Sequence, residues 1–190
     1  MSTVAERYRT RADAFQSKVE AVRPDQWSNQ SPCDDWSARD VVRHIVDMHA
    51  AMLQPVGRGL SPAPSVDDNP LAAFRSARGD VEDLLDDPQL AATAVSTPAG
   101  QMSAEQHVDQ VVSEDMVLHG WDLARATGQD DTIDPGEVER MWPNAQQIPE
   151  IMRTPGAFGP GIVVFGPEVT IDADAPLQDL LLGLLGRDPR

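Results

Sequence analysis

Asp115 and His119 stand four residues apart within an apolar helical stripe that runs from Ser103 to Gly128. At about 100° per residue, Val108, Val112, Asp115, His119 and Ala126 fall on one face of that helix. The spacing predicts that this face is buried. A carboxylate and an imidazole withdrawn from water together carry a desolvation cost unless something compensates both. Two kinds of chemistry could do so: a shared metal ion, or a tight acid–base pair.

A stable open metal site takes at least three protein donors. Asp115 and His119 supply two, since i, i+4 spacing brings side chains together. The helix predicted over 37–53 offers His44 and His49. Periodicity puts His49 nearer the centre of that helix's apolar face, between Val42, Ile45 and Met52. It puts His44 at the edge, beside Val41 and Met48, so periodicity alone prefers His49. His107 lies off the Asp115 stripe, and Glu114 points about 100° away from it. Asp122, one further turn along the same side, either orients a ligand histidine or a bound water from outside the ligand set, or faces solvent. Trp121 reads as structural. Arg125 reads as a surface ion pair or a partner for a substrate anion. Cys33 sits between Pro32 and Asp34–Asp35, and nearby negative charge disfavours its thiolate; it reads as a small buried residue rather than a nucleophile. Phosphate-binding glycine loops and serine-hydrolase elbows are absent.

Helices must position these groups. The first is predicted over about Thr3–Val22, where Ala14, Phe15, Val19 and Val22 recur at helical spacing. A loop rich in turn formers follows, with Trp27 and Trp36 as packing anchors. Ser37 with Asp40 resembles a capping box and opens the second helix, which runs to about Leu53. The third runs from Pro70 at its first position to about Leu85. Ser103 with Gln106 forms another capping box, and a single helix is predicted from there to Gly128. The stretches 54–69 and 86–102 read as long loops, either lids or plain connectors. A shorter helix is expected over Pro135–Ile148 and a closing one over Pro176–Leu185. Ile162–Phe165 and Val169–Ile171 read as short strands or extended segments. With so few strand signals, the architecture expected is a helical bundle.

Composition narrows the partners. The chain has 190 residues, one cysteine and a net charge of −16. One cysteine forbids an internal disulfide, and a polyanionic surface disfavours nucleic acid and anionic membranes. There is no apolar run of about 18 residues, so no membrane span is expected. The N-terminus reads as the start of a helix rather than a signal peptide, and the expected location is cytoplasmic.

Three stretches also resemble a known family. SPCDDWSARDVVRHIV from Ser31 resembles the helix-2 motif of the mycothiol-dependent maleylpyruvate isomerase-like proteins, the actinobacterial branch of the DinB/YfiT-like metalloprotein superfamily. DMVLHGWDLARATG from Asp115 resembles their second metal motif. DAPLQDLLLGLLGRDP from Asp174 resembles the close of a compact actinobacterial subgroup. The likeness runs from about Trp27 to Pro189. It implies an all-α, DinB-like four-helix bundle of up-down-down-up topology, with a C-terminal extension from about residue 134 and one domain over 1–190. It also implies metal ligands His44, Asp115 and His119, choosing His44 over His49 because the family's histidine follows its tryptophan by eight residues. Two departures stand out. The carboxylate is aspartate where the isomerase uses glutamate, which requires closer helices or a bridging water. The isomerase's extra C-terminal domain is missing, which argues against maleylpyruvate as substrate.

The chemistry so implied is metal-assisted nucleophile generation. Mixed nitrogen and oxygen donors suit zinc first, with nickel, iron and manganese as other candidates. A divalent ion favours the anion of a thiol it binds. The expected partners are a low-molecular-weight thiol, mycothiol by the resemblance, and a small-molecule electrophile. The alternative is a non-catalytic metal-binding or stress-response module. The sequence leaves oligomeric state open, a homodimer included.

Overall fold

The computed structural model describes residues 3–97, 100–156 and 164–190, and the chain divides into two compact units, Met1–Asp131 and Thr132–Arg190. The first unit contains α1 (Val4–Ala21), α2 (Ala38–Leu53), α3 (Pro70–Asp86), the short α4 (Pro88–Ala91), strands β1 (Ala94–Thr97) and β2 (Gly100–Ser103), α5 (Ala104–Gln110) and α6 (Val112–Thr127). The second contains α7 (Pro135–Ala145) and α8 (Leu177–Leu184).

Local chemistry sets the helix starts. Thr3, Ser37 and Ser103 each close a capping box, with Glu6, Asp40 and Gln106 as the reciprocal residues. Asn69 caps α3, and Pro70 occupies its first turn, where a missing N–H costs nothing. Gly128 ends α6 with φ 65°, the left-handed conformation glycine adopts freely.

Cross-helix pairs reveal the topology of the first unit. Arg7 bonds Asp109, Arg11 bonds Ser113, and Gln26 bonds the Thr127 carbonyl, so α1 and the α5–α6 rod run parallel. Arg9 pairs with Asp86 and Glu20 with Arg75, so α3 runs antiparallel to α1. His44 faces Asp115 while Cys33 meets Asp122, so α2 opposes α6. The result is an up-down-down-up four-helix bundle of the DinB-like kind. Its core includes Tyr8, Phe15, Ile45, Leu53, Phe74, Leu84, Met116 and Leu123, all buried, with Phe15 and Phe74 rings 5.0 Å apart.

Three local expectations are corrected. The helix from Ser103 to Gly128 is interrupted at Val111, whose φ −114° and ψ −91° leave the helical region. The interruption falls one turn before Asp115; along the expected stripe Val108, Val112 and His119 are buried while Asp115 is only half-buried. The stretch 86–102 is more than a loop: Asp87 caps α4, and β1 pairs antiparallel with β2 from Ala94↔Ser103 to Thr97↔Gly100. Helix α7 stops at Ala145, short of the expected Ile148.

The stretch 57–69 is a fastened connector. Ser61 donates from N and Oγ to Asp80 at 2.7 and 2.6 Å, and Arg39 donates to the carbonyls of Val66 and Asp67.

In the second unit, α7 and α8 pack together, and Val138, Met141, Leu181 and Leu182 are buried. Val169–Ile171 is extended without strand pairing and lies close along α8, where the Val169 N–H donates to the Gly183 carbonyl at 3.0 Å. A Cβ on Gly183 would sit 2.6 Å from the Ile171 side chain, so the approach requires glycine there. Of the run Ile162–Phe165, residues 162 and 163 lie outside the described residues, and 164–165 form a bend.

Among the described residues, no helix is long and apolar enough to cross a membrane.

Candidate metal centre

His44 projects from the middle of α2 toward α6. Its Nε2 lies 3.5 Å from Asp115 Oδ2, and its ring centroid lies 4.7 Å from that of His119. One donor atom each from His44, Asp115 and His119 falls within 4.8 Å of the others. The His44–Asp115 separation is long for an N–H···O hydrogen bond, which prefers about 2.9–3.0 Å. It is close to the edge, about 3.4 Å, of a tetrahedron whose bonds are about 2.0–2.1 Å. Two imidazoles and a carboxylate also match the donor types that borderline divalent ions prefer. The aspartate reaches its neighbour directly, because α2 and α6 pack against each other at this level.

Burial grades across the cluster. The His44 and Asp115 side chains are 27% and 30% exposed, while His119 is 8% exposed. The centre is thus open on the His44–Asp115 side and closed behind His119. Behind it, Asp122 is completely buried, and its Oδ2 accepts from His119 Nδ1 at 2.9 Å. That bond fixes the proton on Nδ1 and leaves Nε2 as the lone-pair nitrogen. The partner of His119 is therefore Asp122 rather than Asp115, which corrects the reading of Asp115 and His119 as a tight acid–base pair.

His49 occupies a different environment. It is fully buried, with Nδ1 2.6 Å from the Ile45 carbonyl and Nε2 2.8 Å from the Tyr8 hydroxyl. The carbonyl can only accept, so Nδ1 carries the proton and the Tyr8 O–H donates to Nε2. Both nitrogens are used, and none remains for a ligand. Burial also pushes the His49 pKa down to about 4. Periodicity located the core-facing histidine of α2 correctly, and a sealed core position is the wrong place for a donor. His107, on α5, is likewise lowered by burial and takes no part in the cluster.

The loop before α2 supplies the remaining wall. Trp36 lies over both imidazoles, with ring centroids 4.9 Å from His44 and 5.6 Å from His119 and the latter pair stacked at 28°. The Gln30 amide holds the loop by donating to the carbonyls of Ser31, Cys33 and Trp36. Asn29 ties it to α6 through the Ala126 carbonyl at 2.9 Å. Cys33, half-buried in this loop, donates through Sγ to Asp122 Oδ2 at 3.3 Å. No periodicity could announce that contact, because Cys33 lies in a turn whose path is set by Gln30 and by Asp35 at φ 62°. Trp121 is buried, with the Arg125 guanidinium over its ring, and Arg125 pairs with Asp131 at 3.2 Å.

Fold and centre together define a class: an all-α bundle whose second and last long helices bring a histidine and an Asp-x-x-x-His pair to one place. The chain belongs to the family described as the mycothiol maleylpyruvate isomerase N-terminal domain, whose model matches residues 8–127. Among curated proteins it is similar to two from Mycobacterium tuberculosis, one from strain CDC 1551/Oshkosh and one from strain ATCC 25618/H37Rv. Both are described as uncharacterised proteins, and each is 27% identical over 179 residues, covering 94% of both chains. No solved structure gives a significant match.

Proposed function

We propose that this protein binds one divalent metal ion through His44, Asp115 and His119, and acts as a metal-dependent thiol S-transferase or isomerase-like enzyme on a small electrophile. The observation that carries the reading is the convergence of three donors from α2 and α6 on a partly open face. Mycothiol is the thiol the family's name points to. Zinc is the ion the donor set suits first, ahead of nickel, iron and manganese. When bound, such an ion supplies Lewis acidity that favours the anion of a thiol or a water.

The chain's own residues do the rest. His44 and His119 offer imidazole nitrogens, and the Asp115 carboxylate would offset part of the added charge. Asp122 holds the Nδ1 proton of His119 and fixes its ring. Trp36 covers the faces of both imidazoles and keeps water off that side. The exposed edges of His44 and Asp115 leave a path for the thiol and the electrophile. Action in the cytoplasm, where low-molecular-weight thiols stay reduced, fits this chemistry.

The second reading is a metal-binding module of the same fold without turnover. The deciding experiment starts from untagged protein. Turnover of a generic electrophile with mycothiol, abolished by chelator and restored by zinc, supports the enzyme. Inactivity across thiol cofactors with one ion bound per chain supports the module. Metal content unaffected by His44→Ala and His119→Ala overturns the ligand assignment.

A further inference from the structure

We propose that Cys33 is a positioning residue for the candidate metal centre, acting through Asp122 on His119. The inference rests on the ligand reading above and assigns a task to a thiol that the proposed chemistry leaves unused. Cys33 Sγ donates to Asp122 Oδ2 at 3.3 Å, and the same oxygen accepts from His119 Nδ1 at 2.9 Å. The three groups are close enough to share an ion, each offering a donor atom within 4.8 Å of the others. The hydrogen bonds specify another arrangement, a relay in which Cys33 and His119 both give protons to one buried oxygen.

The physical task is orientation. Asp122 lies on the same helix as His119, three residues on, and is completely buried. A buried carboxylate settles where its donors are. A donor arriving from the loop before α2 pins Oδ2 from outside α6. It thereby holds the acceptor under Nδ1 and leaves His119 Nε2 as the ligand nitrogen. The thiol must keep its proton to do this, because a thiolate beside the carboxylate would set two anions together in a buried place. Cys33 thus works as a hydrogen-bond donor, the opposite of a nucleophile's role.

The loop geometry serves this end. The Gln30 amide grips the Cys33 and Trp36 carbonyls together, so one turn presents the thiol to Asp122 and the indole to both imidazoles. The serine of a Cys33→Ser variant can still donate, whereas the alanine of Cys33→Ala cannot.

The test is a double-mutant cycle on zinc affinity, read by competition with a chromophoric chelator. Removing an outer partner of a ligand histidine typically costs about 10–100-fold in metal affinity. Asp122→Asn is expected in that range, Cys33→Ala at about 3–10-fold, and Cys33→Ser within about 2-fold of wild type. In the Asp122→Asn background, Cys33→Ala is expected to add nothing. Independent, additive losses overturn the relay, as does an unaltered affinity in Cys33→Ala. Two zinc ions per chain would also overturn it, because Cys33 and Asp122 would then be ligands themselves. A second readout needs no metal: the ¹⁵N shifts of the His119 ring in metal-free protein. Wild type and Cys33→Ser are expected to show the Nδ1–H tautomer, and Cys33→Ala a mixture of tautomers. The same tautomer in all three overturns the proposal. If wild type binds no ion, the ligand reading fails, and the ¹⁵N shifts still decide the role of Cys33.

Discussion

Helix α2 carries two histidines, five residues apart, in opposite circumstances. His49 is sealed in the core, with Tyr8 on one nitrogen and the Ile45 carbonyl on the other. His44 stands at the rim, over a quarter exposed, 3.5 Å from a carboxylate oxygen with which it makes no good hydrogen bond. The first is a finished structural element, since both ring nitrogens have partners and burial lowers its pKa to about 4. The second keeps a nitrogen available and accessible, as a ligand must. A histidine's chance of binding an ion is therefore set by what remains unsatisfied after folding, and depth of burial alone is a poor guide to it.

The sharpest way to break this contrast is to exchange the roles. His44→Ala or His119→Ala should lower zinc affinity by more than about 100-fold, since loss of even an outer partner costs about 10–100-fold. His49→Gln, which keeps an acceptor for Tyr8, should leave affinity within a few-fold. Isothermal titration of the three variants checks this, and loss of binding in His49→Gln would reverse the assignment.

Proton linkage distinguishes the same pair. His49 has a folded pKa of about 4, below its unfolded value of about 6.5. The unfolded chain therefore binds the extra proton across that window, so stability is complete above about pH 6.5 and falls as pH drops toward 4. The contribution lost by pH 4.5 is about 2–3 kcal/mol. Urea unfolding at pH 7 and pH 4.5 should show that loss in wild type and a smaller one in His49→Gln. Equal losses in both would mean that other groups govern the acid limb.

Ligand linkage acts on the rim instead. Zinc at about 100 times its dissociation constant should add about 2.7 kcal/mol, which for a chain of this length raises Tm by about 5–10 °C. Calorimetry with and without chelator reads it, and His44→Ala should abolish it. An unmoved melting curve after verified metal removal would favour a metal-free cluster.

The smallest effect concerns the start of the helix that carries both histidines. Ser37→Ala removes the capping-box hydroxyl and should cost about 1 kcal/mol. His44 lies two turns from that cap, so metal affinity should barely change. A loss of affinity larger than the loss of stability would show that the cap also fixes the loop bearing Trp36.

Much of this arrangement was legible beforehand. Caps at Ser37 and Ser103, Pro70 at a helix start and Gly128 at a helix end marked boundaries that the structure places within a residue or two. Periodicity identified His49 as core-facing, and only the family motif, Trp36 followed eight residues later by a histidine, directed attention to His44. Long-range and irregular features stayed hidden. Val111 is an ordinary β-branched residue in a helical pattern, and no local signal marks its departure from helical dihedrals. The β1–β2 hairpin is too short to announce itself among threonines and prolines. The Cys33–Asp122 bond joins a turn to a helix interior, and no local pattern encodes such a pairing.

The antiparallel apposition of α2 and α6 has a consequence for biogenesis. A nascent chain that has released α1 to α3 already displays His44, yet no chelating pocket exists until the segment through His119 has left the ribosome and docked. On the proposed ligand set, cation binding would have to wait for α6 to dock, and a chain truncated before α6 is expected to bind no ion at this site.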